Sequence, residues 1–211
     1  MKLGDKLPTE ERLATQFKVS KVAVREALRE METRGMIRKK RGMYGGSFVS
    51  APDVKRVGDS MISCFQFGTL TKDEIIDFRQ TLEPVLIKKA VRLRTAEDLA
   101  AMKANIKACE DDLARGSTSV SRHIQFHILI AKACHNQLFT AVMEAISEIF
   151  EDIAKTWQDD RVRMQEDIDF NHKFYECLLS RQGDEAEKLM SEHFELTKAF
   201  RLEDLKKSQL K

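Results

Sequence analysis

The stretch PTEERLATQFKVSKVAVREALREMETRG, residues 8–35, carries the start and stop signals of two short helices. Thr9 is a suitable N-cap for the first helix, and two glutamates follow it in the first turn, where the helix dipole favours negative charge. Ser20 is a second N-cap, and the helix after it is predicted to end at Gly35. Two short helices joined by a tight turn are typical of a helix-turn-helix, whose second helix enters the major groove of DNA.

Two short strands are predicted directly after these helices. Residues 36–41 and 46–50 flank a loop bounded by glycines at 42 and 45, which indicates a β-wing. Four consecutive basic residues, Arg38 to Arg41, are placed to contact phosphates or a minor groove. The alternative is a solvated strand edge, because such charges also protect exposed edges from pairing. The combination of helix-turn-helix and wing favours nucleic acid.

The charge of the chain is unevenly distributed. Residues 1–50 hold 12 Lys and Arg against 6 Asp and Glu, a net of +6, and residues 51–211 hold 24 against 28, a net of −4, which together give the +2 of the whole chain. A basic segment on an acidic body points to nucleic acid or an anionic membrane. Because no apolar run is long enough to span a membrane and no signal peptide is recognisable, a cytoplasmic location without membrane partners is expected.

The rest of the chain is predicted to be helical. Its apolar residues repeat with helical spacing, and the whole sequence has only 9 Gly and 3 Pro, too few for a β-rich fold. Thr71 begins one helix with a capping box, and Thr95 caps the next. The expected fold class is mainly α, with a winged helix-turn-helix over 1–52 and an all-α antiparallel bundle over 53–211. The seven predicted bundle helices span about 53–67, 71–93, 95–116, 119–134, 136–158, 160–181 and 184–207.

Four of the five histidines are spaced so that they can share one site. His123 and His127 are four residues apart in one predicted helix, so their side chains lie on the same face. His172 and His193 fall at comparable depths on either side of Gly183 in a predicted helical hairpin. The alternative is that the four are unrelated surface or capped histidines.

Several short N-terminal motifs occur in the order seen in one family of DNA-binding proteins. They are GDKLPTE at 4–10, LA at 13–14, VS at 19–20, VREAL at 24–28 and GGSFV at 45–49. On these motifs the segment resembles the winged-helix domain of GntR-family transcriptional regulators. The family has one more helix before the first motif, so the resemblance implies a winged domain that is a helix short in this chain.

The resemblance also implies which residues contact DNA. In the family they open the second helix and occupy the wing tip. A basic residue usually follows the glutamate of the family's L-P-x-E motif, whereas this chain has Glu11 there and Arg12 one place later. The implied partner is double-stranded DNA, with a homodimer on a palindromic operator. The candidate DNA-binding residues are Ser20, Lys21, Arg25, Arg12, Arg41, Gly45 and Gly46.

The body is similar to the FCD effector domain of the FadR-like branch of the same family. The resemblance covers about residues 70–195 and rests on FR at 78–79, LEP at 82–84, FH at 126–127, Asn136, His172, GD at 183–184 and His193. Many members hold a divalent metal with an Asp, a His four residues later and two further His. His127, His172 and His193 match the three histidines, and His123 stands at the Asp position.

This substitution leaves nitrogen ligands that suit zinc, with nickel or cobalt as alternatives, but it removes one negative charge. The resemblance therefore implies a divalent metal on His123, His127, His172 and His193 with neutral ligands. Arg79 matches a family arginine in the same pocket, and a guanidinium binds carboxylates bidentately. A small organic acid is the implied effector, although a surface salt bridge with Glu83 is the alternative for Arg79.

Together these features predict a ligand-responsive transcriptional regulator, a repressor that releases DNA when it binds its effector. One alternative is a DNA-binding dimer whose bundle binds an organic ligand without metal or only dimerises. A zinc metalloenzyme is the remote alternative, since histidines around zinc can activate water. No Glu or Asp has a motif-fixed place as general base, so an enzyme is not expected.

Overall fold

The computed structural model describes residues 1–117, 120–154 and 161–209. Parts of the predicted helix boundaries, at 119, 155–158 and 160, lie outside these residues. The contacts divide the chain into two units, Met1–Arg56 and Val57–Lys211. The described elements are α1 Glu10–Phe17, α2 Lys21–Thr33, β1 Ile37–Lys40, β2 Gly46–Val49, α3 Lys55–Gln66, α4 Lys72–Leu93, α5 Ala96–Ala114, α6 Ser121–Lys132, α7 Gln137–Ala154, α8 Arg161–Ser180 and α9 Gly183–Gln209.

The predicted helix-turn-helix is formed by α1 and α2. Thr9 accepts a hydrogen bond from the backbone N–H of Arg12, and Ser20 accepts one from that of Ala23, so both predicted N-caps are confirmed. Lys18 ends α1 in the left-handed conformation, with a φ of 56°. The two helices pack against each other and α2 packs on β1, around a small apolar core of Leu13, Ala14, Val24, Leu28 and Ile37.

The predicted wing is an antiparallel pair of strands. Ile37 lies opposite Val49, and Lys40 lies opposite Gly46. The loop needs glycine at position 45, because an added Cβ would lie 2.5 Å from the carbonyl oxygen of Lys40 and 2.7 Å from that of Gly42. The geometry of the wing tip therefore depends on Gly45.

The second unit is a helical bundle with α4 at its centre. This helix runs through Pro84 and packs against α6, α7, α8 and α9. Both predicted helix starts are confirmed as capping boxes, Thr71 with Glu74 and Thr95 with Asp98. The mainly α fold class is thus confirmed. Among the described residues, no helix has the length and apolar character that a membrane span requires.

Polar contacts fix the last two helices on α4. Lys88 forms ion pairs with Asp184 at 2.8 Å and with Glu187 at 2.6 Å, both on α9. Arg94, which follows α4, donates hydrogen bonds to the carbonyl oxygens of Leu178 and Leu179 at the end of α8. These contacts, together with the apolar core, set how α8 and α9 present their side chains to the centre of the bundle.

Candidate metal centre and DNA-binding surface

Three of the four candidate histidines meet in the core of the bundle. His123 and His127 project from α6, and His193 projects from α9, and all three are buried. Their ligand atoms lie within 4.8 Å of one another. The Nε2 atoms of His123 and His127 are 3.2 Å apart. Two nitrogens bound to one tetrahedral zinc at about 2.0–2.1 Å lie about 3.4 Å apart, so the spacing fits a shared ion.

His172 does not join this cluster. Its side chain is half exposed, and its Nε2 lies 2.9 Å from Oε1 of Glu110 on the neighbouring α5. The prediction that all four histidines converge is therefore wrong for His172. Successive residues of a helix point about 100° apart, and α8 is turned so that Asn171 is fully buried in place of its neighbour.

Glu83 of α4 orients His127. One of its carboxylate oxygens accepts a hydrogen bond from Nδ1 of His127, and the other accepts one from Nε of Arg79 at 2.5 Å. Burial opposes the ionised form, yet the positive charge of Arg79 and the contact with His127 lower the pKa of Glu83 to about 2. An ionised Glu83 keeps the proton of His127 on Nδ1, so the lone pair of Nε2 points into the cluster.

The other two histidines are held neutral. Burial lowers the pKa of both His123 and His193 well below the usual value, and the positive charges around them act in the same direction. A neutral imidazole is the form that binds a metal. His123 and His193 therefore present their nitrogens in the state that ligation needs.

A carboxylate that the sequence analysis missed lies at the same place. Asp167 of α8 has its Oδ1 3.7 Å from Nε2 of His123 and 4.0 Å from Nδ1 of His193. It is buried, and burial raises its pKa. An acidic group that the prediction of a site with only neutral ligands did not include therefore approaches the histidines from α8.

Arg79 is buried beside the histidine cluster. Only 3% of it is exposed, and its guanidinium carbon lies 4.2 Å from the ring centre of Phe150 and 5.5 Å from that of Phe194. The salt bridge with Glu83 exists, but it is buried and not on the surface. Arg79 lines a narrow cleft together with Ile76, Gln80, Val120, His123, Phe150, Arg163, Asp167, His193, Phe194, Thr197 and Lys198.

The candidate DNA-binding residues lie on the surface of the N-terminal unit, and two of them are paired with acids. Lys21 lies 2.6 Å from Glu11, and Arg25 forms two hydrogen bonds of 3.1 Å to Glu10. The hydroxyl of Ser20 is used as the N-cap of α2. Arg12 and Arg41 are exposed, and Gly45 and Gly46 form the half-buried wing tip.

Glu83 and Asp167 were detectable only in part from the sequence. Glu83 lies four residues after Arg79, a spacing that predicts an ion pair but not its burial. Asp167 and Asn171 belong to the buried side of α8, with Met164, Ile168, Phe174 and Leu178. The spacing of these apolar residues was the available signal that α8 turns residues 167 and 171 inward.

Both domains match known families. Residues 1–49 match the bacterial regulatory proteins of the gntR family, and residues 74–196, more than half of the chain, match the FCD domain. The structure is similar to a solved one titled Streptococcus agalactiae GntR, with a TM-score of 0.61 and 22% identity over 92% of this chain and 88% of that one. This likeness supports the fold.

Curated relatives carry names of transcriptional regulators. The HTH-type transcriptional regulator LutR of Bacillus subtilis (strain 168) is 25% identical over 92% of this chain and 90% of its own length. In Escherichia coli (strain K12), the galactonate operon transcriptional repressor is 22% identical over 87% of this chain and 82% of its own length. The Glc operon transcriptional activator of that organism is 26% identical over 94% of this chain and 81% of its own length. The chain belongs to the GntR family of bacterial regulatory proteins with an FCD domain, and it is a DNA-binding transcriptional regulator, not an enzyme.

Proposed function

We propose that this regulator is a homodimeric repressor that releases a palindromic operator when a small carboxylate binds in its helical bundle. The observation that carries the proposal is the burial of His123, His127 and His193 beside Arg79. The three histidines would hold a metal ion, and Arg79 beside them would bind an anion, so together they would form a receptor for a small organic acid. With the proposed domain boundary near residue 52, this receptor would belong to the bundle and the DNA contacts to the winged domain.

A divalent metal would be held by His123, His127 and His193, with zinc as the first choice and nickel or cobalt as alternatives. When bound, it would supply positive charge and an open coordination position for an anion. Glu83 would fix the tautomer of His127, and such outer partners strengthen metal binding. The buried, neutral His123 and His193 need not lose a proton before they bind.

The cleft beside the histidines favours an anion. Among the described residues that line it, Arg79, Arg163 and Lys198 are cationic and Asp167 is acidic, while Glu83, bonded to Arg79, balances one of the positive charges. The inner part of the cleft, about 20 Å³ in which the centre of a water molecule fits, has room for about one water. An organic acid that reaches this inner part of the cleft would displace lining groups such as Phe194 of α9. Effector binding would in this way shift the position of α9. The effector can move the equilibrium between the DNA-bound and the released arrangement only by binding one of them more tightly than the other.

On DNA, Lys21 and Arg25 would contact base edges and phosphates, and Arg38 to Arg41 would add attraction that does not depend on sequence. Ser20, Arg12, Gly45 and Gly46 would complete this surface. A single recognition helix reads too few base pairs for selectivity, so two copies on a palindrome are expected. Because bacterial regulators act on chromosomal DNA, the proposed location is the cytoplasm.

The sign of regulation has a direct test, since one relative is named a repressor and another an activator. A reporter under the protein's own operator should be silenced by the intact chain. Silencing should require Lys21 and Arg25, and the variant Lys21→Ala/Arg25→Ala should restore expression. Reporter activity that rises with the intact chain would identify an activator.

Effector and metal can be tested by fluorescence anisotropy on an operator fragment. We expect at least one small carboxylate to weaken operator binding about tenfold or more, an effect that chelation of the metal abolishes. An effect that survives chelation would support an organic ligand bound without metal. No effect from any acid, with or without metal, would leave the bundle as a dimerisation domain and refute the sensor.

A further inference from the structure

The inward side of α8 faces the histidine cluster along more than one turn. Asp167 lies 3.7 Å from Nε2 of His123 at one end of this stripe. Phe174, seven residues later, has its ring centre 5.9 Å from that of His193. Asn171 stands between them, four residues after Asp167 and three before Phe174, so it shares their face of the helix.

Among the residues that the structure describes, Asn171 has no hydrogen-bond partner. It is 0% exposed, and neither its Nδ2 nor its Oδ1 forms a hydrogen bond within the described part of the chain. Nδ1 of His123 is also buried, and it too has no hydrogen-bond partner among the described residues. A buried amide that makes no hydrogen bond is costly and rare in folded proteins. On a helix face whose residue Asp167 approaches the histidines, such a side chain is a candidate to bind something from outside the chain.

His172 offers a direct contrast. It is adjacent to Asn171 and is the better metal ligand by residue type, yet it is bonded to Glu110 at the surface of the bundle. The packing of Phe170 and Phe174 around His193 fixes the rotation of α8 that buries Asn171. The helix cannot present residues 171 and 172 to the cluster together.

We propose that Asn171 and Asp167, and not His172, are the residues of α8 that complete the metal centre, with the amide oxygen and a carboxylate oxygen as ligands. This rests on the proposed metal site. When it binds the ion as a carboxylate, Asp167 would supply the negative charge that His123 does not. Three nitrogens and two oxygens form a larger donor set than the four ligands of a structural zinc site. An ion held by this set joins α6, α8 and α9.

The proposal predicts two opposite effects of Asn171→Leu. Without metal the variant should be more stable than the parent protein, because an unsatisfied buried amide is replaced by an apolar side chain of similar size. Its affinity for Co²⁺ should fall by about tenfold or more, at least as much as loss of an outer-shell partner causes. Asp167→Asn should also weaken Co²⁺ binding, and His172→Ala, the control from the same helix turn, should not.

The experiment is a Co²⁺ titration of the full-length metal-free proteins, followed by visible absorption, with thermal unfolding recorded for each. Weak absorption, typical of five or six ligands, is expected for the parent protein, and a stronger tetrahedral-type spectrum for Asn171→Leu. Asn171→His should bind Co²⁺ at least as tightly as the parent, which shows that the position tolerates change.

Two results separate this inference from the metal site on which it rests. If the parent protein binds no Co²⁺, or if His127→Ala binds it equally well, the proposed metal site itself is wrong. If His127→Ala loses Co²⁺ while Asn171→Leu and Asp167→Asn keep the parent affinity and spectrum, the centre exists without α8 and the inference is overturned. A loss in His172→Ala as large as that in Asn171→Leu would overturn it too.

Discussion

Glu83 of α4 and His127 of α6 are joined by a buried hydrogen bond from Nδ1 of the histidine to a carboxylate oxygen. The other oxygen of Glu83 accepts from Arg79, so one acid links a candidate effector-binding cation to a candidate metal ligand. The side chains of all three are at most 4% exposed. Glu83 is therefore the shared partner of Arg79 and His127 in the buried core of the bundle.

Glu83→Gln should destabilise the protein. The substitution leaves the buried Arg79 without its counter-charge, and removal of one partner from a buried ion pair typically costs about 3–5 kcal/mol. Glu187→Gln removes an acid from the partly exposed pair with Lys88, so the loss there should be below about 1 kcal/mol. Urea unfolding followed by circular dichroism measures the free energy of unfolding of both variants. Equal losses would show that burial of the Glu83 pair does not make it more important for stability than the exposed pair.

The metal-free protein should lose stability as the pH falls below about 6.5. Burial lowers the pKa of His123 and His193, so the folded state keeps them neutral where the unfolded chain takes up protons. Their contribution to the free energy of unfolding is complete above the pKa that histidine has in the unfolded chain. Below that pKa it falls by up to about 1.4 kcal/mol per pH unit for each histidine. Urea titrations from pH 7.5 to 5 measure this slope.

The control for the pH effect is the variant His123→Gln/His193→Gln. Asp167 changes the stability in the opposite direction. Because burial raises its pKa, its contribution to the free energy of unfolding is most favourable in acid. The difference between parent and variant slopes is therefore the decisive quantity. A variant whose stability falls with pH as steeply as that of the parent would assign the effect to other groups.

Glu11→Gln should raise the affinity for DNA. Glu11 is ionised, since its hydrogen bond with Lys21 and the charge of Lys21 lower its pKa, and it holds the Lys21 ammonium at 2.6 Å. Removal of the charge frees Lys21 and ends repulsion with phosphates, so we expect a several-fold gain and a steeper dependence on salt. Anisotropy titrations at several KCl concentrations test this. Glu30→Gln, at the other end of α2, is the control and should change little.

Gly45→Ala should abolish tight DNA binding without unfolding the bundle. An added methyl group would lie within 2.7 Å of two backbone oxygens, so the wing tip has to change shape. Operator affinity and thermal unfolding should be measured together, with Ser47→Ala in β2 as the control. Unchanged affinity in Gly45→Ala would show that the shape of the wing tip does not matter for binding.

Local signals in the sequence were sufficient for most of the fold. Thr9, Ser20, Thr71 and Thr95 begin their helices as predicted, because an N-cap satisfies backbone N–H groups within a few residues of itself. The helix-turn-helix, the wing and the pairing of His123 with His127 follow from the same short-range rules. The spacing of four residues fixes a shared helix face whatever the surroundings are.

The rotation and depth of each helix were decided only by tertiary packing. The sequence offers both Asn171 and His172, and the packing of α8 against His193 and the core buries the amide and leaves the imidazole at the surface. Asp167 reaches the histidines by the same rotation, and Glu83, the partner of Arg79 on α4, is buried where α4 meets α6 at His127. Residue spacing gives the angle between two side chains of one helix, but the direction in which the pair faces depends on the burial of the whole apolar stripe.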